Sequence, residues 1–311
     1  MNVLLIGEES AGIQMLREVE RSGHRVTAVM ASPTRIAAPG ASLWDAALKR
    51  GLPTWPAHLV REPALAEKIR GKEVEIILNV HSLYIIHRAV LGAPRIGAFN
   101  LHPGPLPRYA GLNTVSWAIY RGERSHGVTV HWIVPEIDAG PIAYQSLFPI
   151  DESDTALSVS ARCVGEGLPL MMRLLDVAAK NPAEIPAISQ EMQKQEYFDA
   201  KVPEGGRLSW HWPARRIVDF VRACDYFPFR SPWGHPLTSM GTQELAVLRV
   251  RRTRLRSHAP PGTVGECTRE GVSVASGDEW VLVTRLRVGK ESVDPAKMLK
   301  SGEQLTDCSC S

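Results

Sequence analysis

The sequence predicts a doubly wound α/β domain with a mostly parallel sheet, followed by a small C-terminal β-barrel domain. Short apolar runs alternate with helical patterns through the first half of the chain, which is typical of parallel strands covered on both faces. A stretch rich in proline and glycine ends this half, and strands of alternating polarity follow it. These three observations predict two domains of different architecture.

The first domain begins with a strand, a helix and a second strand. Residues 3–7 and 26–30 are apolar runs, and apolar residues repeat at helical spacing between them. The strands expected in this domain are residues 3–7, 26–30, 74–80, 96–101, 128–133 and 142–148. Ser153 is expected to cap a long helix that runs towards Ala179.

The boundary between the domains is expected in residues 181–206, where prolines and a Gly-Gly pair interrupt the periodic pattern. We therefore assign residues 1–199 to the α/β domain and residues 200–305 to a helix followed by the barrel. Residues 306–311 are expected to form a flexible tail. Its two cysteines are part of an odd, scattered set of 5, which favours a reducing compartment over a disulfide framework.

The composition excludes some classes of protein. The 36 basic and 33 acidic side chains leave a formal charge of +3, which does not mark the chain as a nucleic-acid coat or membrane-surface protein. The N-terminus has no basic region followed by a cleavage site, and no apolar run reaches membrane-spanning length. We expect a cytoplasmic protein with no membrane partner.

Three polar residues are the candidates for catalysis. Asn100 and His102 lie at the carboxyl end of a predicted parallel strand, and strand alternation directs both side chains to one side. Asp138 lies in a glycine-containing loop after another strand, and such loops cluster at the same sheet edge. The three side chains are therefore expected to converge.

Acyl transfer to an amine needs the groups that this trio supplies. An Asn carboxamide donates a hydrogen bond to a developing oxyanion, and a histidine held by a carboxylate accepts and returns a proton near neutral pH. No metal is expected, because His81, His87, His126 and His131 lack a ligand spacing backed by acidic residues. An Asn-x-His pair alone is a weak signal, since most such residues are satisfied by backbone hydrogen bonds.

The residues around the trio strengthen this interpretation. Residues 99–111 read Phe-Asn-Leu-His-Pro-Gly-Pro-Leu-Pro-Arg-Tyr-Ala-Gly, residues 127–129 read Gly-Val-Thr, and residues 137–140 read Ile-Asp-Ala-Gly. This set resembles the signature of the 10-formyltetrahydrofolate-dependent formyltransferases of one-carbon metabolism. The resemblance covers nearly the whole chain and implies a Rossmann-like catalytic domain with an OB-like C-terminal barrel.

The resemblance also implies roles for individual residues. Asn100 and His102 polarise the formyl group and stabilise the tetrahedral intermediate, while Asp138 orients His102 and assists proton transfer. The pterin of the folate is expected against the backbone of residues 82–86 and 135–138. Arg108 is expected to meet the folate glutamate tail or an acceptor carboxylate, with a surface salt bridge as the alternative. The folate-contact candidates are Ser82, Leu83, Tyr84, Ile85, Ile86, Arg108, Pro135, Glu136 and Ile137.

The sequence leaves the acceptor amine open. Residues 31–40, which correspond to a basic tRNA-contacting insertion in methionyl-tRNA formyltransferases, contain only Arg35 as a cation. The wording of residues 104–113 is closer to that of formyltransferases of secondary metabolism. We therefore favour a small-molecule or carrier-bound amino acid, or an amino sugar, as acceptor, and tRNA is the less favoured alternative.

Further alternatives stay open at this stage. Residues 249–256 form a basic strand that would suit an acidic carrier protein or an RNA backbone, although a solvated strand face is the simpler interpretation. A hydrolase that releases formate, or a non-catalytic folate-binding module, would share the architecture. Neither the oligomeric state nor the pathway follows from the sequence.

Overall fold

The structure is a computed structural model, which describes residues 1–33, 42–82 and 84–307. The chain divides into two compact units. Unit 1 comprises Met1–Thr114, Ser125–Pro149 and Ser160–Phe198, and unit 2 comprises Val115–Arg124, Ile150–Val159 and Asp199–Ser311. Leu83, Arg35 with most of its loop, and the two C-terminal cysteines lie outside the described residues.

Nine strands belong to unit 1. They are β1 (Asn2–Gly7), β2 (Arg25–Ala31), β3 (Thr54–Pro56), β4 (Ile76–Val80), β5 (Gly97–His102), β6 (Ala110–Gly111), β7 (Ser125–Trp132), β8 (Ile142–Pro149) and β9 (Tyr197–Phe198). Seven of them form one sheet in the order β3-β2-β1-β4-β5-β7-β8. The first five strands are parallel, while β7 and β8 are antiparallel. The mostly parallel, doubly wound sheet is confirmed.

The helices of the described chain are α1 (Glu9–Arg21), α2 (Leu43–Leu48), α3 (Leu65–Gly71), α4 (Arg88–Leu91), α5 (Thr114–Tyr120), α6 (Ala156–Lys180) and α7 (Ala214–Ala223). The prediction that Ser153 caps the long helix α6 was wrong. The hydroxyl of Thr155 instead accepts a hydrogen bond from the Ser158 backbone N–H at 3.3 Å, and the helix begins at Ala156. No helix of the described chain is long and apolar enough to cross a membrane.

The parallel strands are apolar because both faces of the sheet are covered. Val3, Leu4, Leu5 and Ile6 of β1 are all fully buried, as are most residues of β4. One core cluster joins β1, β2 and β4 to the helices and turns that cross over between them. A rigid, fully packed sheet therefore holds the carboxyl ends of β4 and β5 in place.

The segment after α6, expected to be a linker, contains ordered structure. Ile188 forms antiparallel bridge hydrogen bonds with Ile142, and β9 pairs in parallel with β6. Short 3₁₀ helices occupy Pro182–Glu184 and Met192–Lys194. Within residues 181–206, where the sequence suggested a boundary, an irregular strap remains part of unit 1 up to Phe198, and unit 2 continues from Asp199.

Unit 2 contains the second sheet. Its strands are β10 (Leu237–Met240), β11 (Gln243–Arg256), β12 (Val264–Cys267), β13 (Val272–Ala275), β14 (Glu279–Val288) and β15 (Glu291–Val293). All their pairings are antiparallel, and α7 packs on the same core as β11 and β14. The C-terminal β domain is therefore confirmed, whereas its closure into an OB-like barrel stays a prediction.

Candidate active site

The site begins at the carboxyl end of β5. Asn100 and His102 alternate along the strand, so both side chains lie on the same side of the sheet. His102 is buried, with 3% of its surface exposed, and Asn100 is half-buried. The loop that follows β5 starts with Pro103 and Gly104, which stop the strand because proline lacks the backbone donor that a ladder needs.

This loop folds back onto the imidazole of His102. The His102 Nε2 atom lies 2.5 Å from the carbonyl oxygen of Tyr109 and must carry the hydrogen, since a carbonyl oxygen only accepts. Gly104 makes this approach possible. A Cβ atom at Gly104 would lie 2.5 Å from the Tyr109 carbonyl oxygen and 2.8 Å from His102 Nε2.

Asp138 reaches the same spot from the loop between β7 and β8. Its Oδ2 atom lies 3.5 Å from His102 Nδ1 and accepts a hydrogen bond of 2.8 Å from the Gly111 backbone N–H. Asp138 has a left-handed backbone with φ 52°. Gln190 braces this loop by donating to the carbonyl oxygens of Asp138 and Gly140 at 2.8 Å and 2.6 Å.

The electrostatics of the pair define its resting state. Burial lowers the pKa of His102 below its ordinary value, although Asp138 and the Tyr109 carbonyl oppose this shift. Burial alone would raise the pKa of Asp138, but His102, His131 and the Gly111 N–H outweigh it and bring the pKa to about 2. Asp138 is therefore ionised at neutral pH, and His102 is neutral until it receives a proton.

His131 completes the cluster, although the sequence suggested no role for it beyond a rejected metal site. Its Nε2 atom lies 3.2 Å from Asn100 Nδ2 and 3.5 Å from Asp138 Oδ1. His131 thereby joins Asn100 to the His102–Asp138 pair, and the structure brings the whole predicted trio together. The pairing of β5 with β7 creates this contact by placing Asn100 opposite His131, and sequence periodicity carries no signal of that register.

Two further residues border the cluster at the end of β4: Asn79, which the sequence analysis did not single out, and His81, which it named only as a rejected metal ligand. Asn79 donates a 2.8 Å hydrogen bond from Nδ2 to Asn100 Oδ1. His81 has a left-handed backbone with φ 58°, and desolvation together with the neighbouring His102 lowers its pKa to about 4. An uncharged imidazole therefore borders the site at neutral pH.

The folate-contact candidates fall into different environments. Ser82 and Tyr84 are half-buried, Ile85 is exposed, and Ile86 is buried in the core of unit 1. Pro135, Glu136 and Ile137 are all exposed at the Asp138 loop. Arg108 donates to Glu196 at 3.0 Å, which is the surface salt bridge weighed as its alternative role.

The basic strand is extensively ion-paired. Within unit 2, Arg249 pairs with Asp225, Arg251 with Glu270, Arg252 with Glu279 and Arg254 with Glu152. These acidic partners compensate much of the positive charge that the sequence concentrates on β11. The observed arrangement corresponds to the solvated strand face considered for residues 249–256.

The sequence matches the formyl transferase family over residues 1–175 and the C-terminal domain of formyl transferases over residues 201–302. The chain belongs to the formyl transferase family. The resemblance seen in the sequence motifs is thus confirmed, and the protein is a formyltransferase. The polar cluster at the end of β5 lies within the first matched segment.

This formyltransferase is similar to curated relatives along its whole length. It is 28% identical over 307 residues to the methionyl-tRNA formyltransferase of Moorella thermoacetica, covering 97% of this chain and 96% of the relative. It is 29% identical over 314 residues to that of Anaeromyxobacter dehalogenans strain 2CP-1, covering 97% of both chains.

Solved structures share the fold of this formyltransferase. The sugar 3N-formyl transferase WlaRD matches with a TM-score of 0.68 and 18% identity, over 91% of this chain and 96% of that chain. An N-formyltransferase from Helicobacter canadensis, solved with folinic acid and dTDP-3-aminofucose, matches with a TM-score of 0.65 and 17% identity, over 90% of this chain and 98% of that chain. At these identities the likeness concerns the architecture.

The geometry suits transfer of an acyl group without a covalent enzyme intermediate. The cluster offers a carboxamide donor, a neutral buried imidazole and an ionised carboxylate within contact distance of one another. It contains no serine or cysteine nucleophile among its described contacts, and no His, Cys, Asp or Glu side chains in residues 1–33, 42–82 and 84–307 are grouped in threes so that they could hold a metal ion. An amine needs neither, because its own lone pair attacks a polarised carbonyl carbon.

Proposed function

We propose that this formyltransferase transfers the formyl group of 10-formyltetrahydrofolate to the amine of a small-molecule or carrier-bound acceptor, either an amino acid or an amino sugar. The observation that carries the proposal is the cluster of Asn100, His102, His131 and Asp138, in which a carboxamide, two imidazoles and a carboxylate are linked by contacts of 3.5 Å or less. Asn100, His102 and Asp138 are the proposed catalytic residues.

The proton path follows from the hydrogen bonds of His102. Because Nε2 already donates to Tyr109, the neutral ring has its lone pair on Nδ1, which faces Asp138. Nδ1 is therefore the atom that accepts a proton from the attacking amine. Asp138, ionised at neutral pH, stabilises the imidazolium that forms.

The bonds then change in two steps. The amine lone pair forms the new C–N bond, the carbonyl π electrons move to the formyl oxygen, and an N–H of Asn100 donates to that oxyanion. His102 takes the amine proton at Nδ1 and returns it to N10 of the folate as the C–N10 bond breaks. Tetrahydrofolate and the N-formyl product leave, and the side chains regain their starting protonation states.

The loops that border the cluster fit a folate. Ile85 and Ile137 are 65% and 43% exposed, and they present apolar surface on both loops proposed to contact the pterin. Ser82, Tyr84, Pro135 and Glu136 belong to the same loops, with Leu83 beyond the described residues. Arg108 is proposed to meet the glutamate tail by exchanging its Glu196 partner for that carboxylate.

The preference for a small acceptor rests on charge near the site. Arg108 and Glu196 compensate each other beside the catalytic loop, and four of the five arginines of β11 are ion-paired. Binding of a tRNA depends on cationic side chains that displace counterions from its phosphates. Arginines that are already ion-paired are less suited to this, which disfavours tRNA as the acceptor. The sugar acceptor named with the Helicobacter structure fits the proposed class.

Formylation of methionyl-tRNA is the second candidate. It is favoured by the curated relatives, which carry that name and match this chain from end to end. An acidic carrier protein as partner remains a prediction from the sequence, as does a role in secondary metabolism.

A single panel separates the candidates. Purified protein and 10-formyltetrahydrofolate are incubated with amino acids, hydroxylated amino acids, nucleotide-linked amino sugars, aminoacylated carrier protein and methionyl-tRNA, and products are read by mass shift. We expect a formyl mass on a small or carrier-bound amine, and none in the matched reaction with His102→Ala.

Other outcomes would contradict the proposal. Formylation of methionyl-tRNA alone, with binding that weakens steeply as salt is added, would establish the second candidate. Formate released at the same rate with and without any amine would indicate a hydrolase. Tight folate binding without turnover on any acceptor would indicate a binding module.

A further inference from the structure

A row of three polar side chains crosses the sheet of unit 1 at the catalytic cluster. Asn79 on β4 pairs in register with Asn100 on β5, and Asn100 pairs in register with His131 on β7. The strand residues on either side of Asn79 and Asn100 are apolar and buried. Burying polar groups in such surroundings costs free energy unless they are hydrogen-bonded. The donor and acceptor of each bond in the row therefore determine how its side chains are oriented.

The direction at one end of the row is fixed by the backbone. His131 Nδ1 lies 2.8 Å from the carbonyl oxygen of Trp132, so Nδ1 carries the hydrogen of the neutral ring. Nε2 is then a bare acceptor, and it lies 3.2 Å from Asn100 Nδ2. A protonated His131 would instead have to donate from Nε2, towards Asp138 Oδ1 at 3.5 Å, and could not accept from Asn100.

The other end of the row supplies a matching donor. Asn79 donates from Nδ2 to Asn100 Oδ1 at 2.8 Å. If the Asn100 carboxamide were turned over, its oxygen would face the bare Nε2 of His131, an acceptor against an acceptor. The bare Nε2 of His131 therefore selects one of the two orientations of the Asn100 side chain, and the Asn79 donor matches that orientation.

We propose that Asn79 and His131 are positioning residues that orient the Asn100 carboxamide, so that its NH2 group rather than its oxygen serves the reacting centre. A carboxamide NH2 has two hydrogens. One is used on His131, which leaves the second to donate to the oxyanion. With the opposite orientation Asn100 would present a carbonyl oxygen there and repel the developing negative charge.

The unsatisfied oxygen of Asn79 supports a functional reason for this residue. Asn79 Oδ1 is buried and has no hydrogen-bond partner among the described residues, a cost that an apolar residue at this strand position would avoid. The hydrogen bond that Asn79 does make uses its NH2 group, as the donor to Asn100.

The first test reads the tautomer of His131 without turnover. Protein labelled with ¹⁵N-histidine is examined by long-range ¹H–¹⁵N correlation at about pH 8, where an introduced aspartate is ionised. The His131 signal is identified by its loss in His131→Gln. We expect hydrogen on Nδ1 and none on Nε2 in the wild-type protein.

Asn79→Asp is the informative variant because it keeps the size and replaces the donor by an acceptor. Asn100 should turn over to donate to the new carboxylate and present its oxygen to His131. The signal of His131 should then show hydrogen on Nε2 in addition to Nδ1, which still donates to the Trp132 carbonyl. Asn79→Leu removes the donor without supplying an acceptor, so His131 should keep its wild-type tautomer. Asn181→Asp, at an exposed 3₁₀-helix cap where either side chain can accept, is the matched control.

Kinetics supply the second readout, using whichever amine is formylated. Loss of one oriented oxyanion donor lowers kcat by about 10²-fold or more, so we expect that change for Asn79→Asp with KM and 5-formyltetrahydrofolate binding within about threefold. In Asn79→Leu, kcat should fall by about threefold to tenfold, because His131 still favours one orientation of the Asn100 carboxamide. Asn181→Asp should change nothing measurable.

Several results would overturn the proposal. Hydrogen on Nε2 of His131 in the wild-type protein would do so alone, even if Asn79→Asp failed to fold. A folded Asn79→Asp protein with an unchanged His131 signal or an unchanged kcat would do so as well. Only the kinetic test rests on the proposed formyl transfer. If no acceptor is found, the tautomer of His131 still decides whether the inference holds.

Discussion

Replacing Gly104 by alanine tests the packing that holds His102 in place. The added Cβ would lie 2.5 Å from the Tyr109 carbonyl oxygen, 2.8 Å from His102 Nε2 and 3.1 Å from Tyr109 Cβ. Side-chain Cβ atoms essentially never come within 3.0 Å of such atoms. The loop and the imidazole must therefore separate by about 0.5–1 Å, which forces apart the hydrogen bond that joins them.

The expected cost has two parts. Overpacking at a closed site costs about 1–3 kcal/mol, and the loss of a buried hydrogen bond adds about 1 kcal/mol. For a unit of this size we expect Tm to fall by about 5–10 °C. A displacement of the imidazole by most of an ångström should lower kcat by about 10²-fold even in protein that remains folded.

Gly165→Ala is the matched control. Gly165 lies on the exposed side of α6, and a Cβ there meets no atom of the described residues within 4 Å. The same chemical change should raise stability by about 0.5–1 kcal/mol, because alanine is the better helix former, and should leave turnover unchanged. Thermal unfolding and tetrahydrofolate release are measured for both variants. Wild-type turnover and Tm in Gly104→Ala would refute the role assigned to this contact.

Three further predictions concern charged residues. Asp138→Asn should lower kcat by about 10²- to 10⁴-fold while folate binding persists. Turnover equal to that of the wild-type protein would show that the carboxylate takes no part in proton transfer. Because the pKa of Asp138 is about 2 in the folded protein against an ordinary 3.8, its stabilisation is present above about pH 4 and is lost as pH falls towards 2. Between about pH 4 and pH 2 the wild-type protein should lose about 2 kcal/mol more of its free energy of unfolding than Asp138→Asn, which is read from Tm at each pH. Curves of Tm against pH that run parallel for the two proteins would contradict this. Arg222→Ala should destabilise unit 2 by about 3 kcal/mol. Arg222 donates to Asp219 and to two backbone carbonyls, and its loss leaves the buried Asp219 carboxylate with too few partners. A Tm within about a degree of wild type would argue against this prediction.

Local patterns were sufficient to predict much of the site. Alternation along a strand is a property of the chain itself, so the sequence alone assigns Asn100 and His102 to one side of the sheet. Asp138 could be expected nearby because loops at one edge of a sheet converge. The apolar runs likewise predicted the parallel core of β1, β2 and β4.

Contacts between distant strands could not be predicted in the same way. The antiparallel pairing that places His131 beside Asn100 depends on a register set by the whole sheet, and residue spacing contains no record of it. The same reason explains Asn79, which looks like an interruption of an apolar strand until β4 and β5 are paired. The strap that carries Gln190 to the Asp138 loop could not be predicted, because its prolines are typical of a linker. Its ordered structure depends on tertiary hydrogen bonds that the sequence pattern does not indicate.

The proposed chemistry is tested most directly by following the one-carbon unit itself. Donor folate carrying a ¹³C-formyl group is mixed in single turnover with excess wild-type enzyme and an accepted amine, and the label is located by NMR. The account predicts that the label moves to the amine nitrogen and that His102→Ala slows this transfer by about 10²-fold or more at equal folate occupancy. Label that leaves as formate whatever amine is added, or transfer by His102→Ala at the wild-type rate, would contradict it.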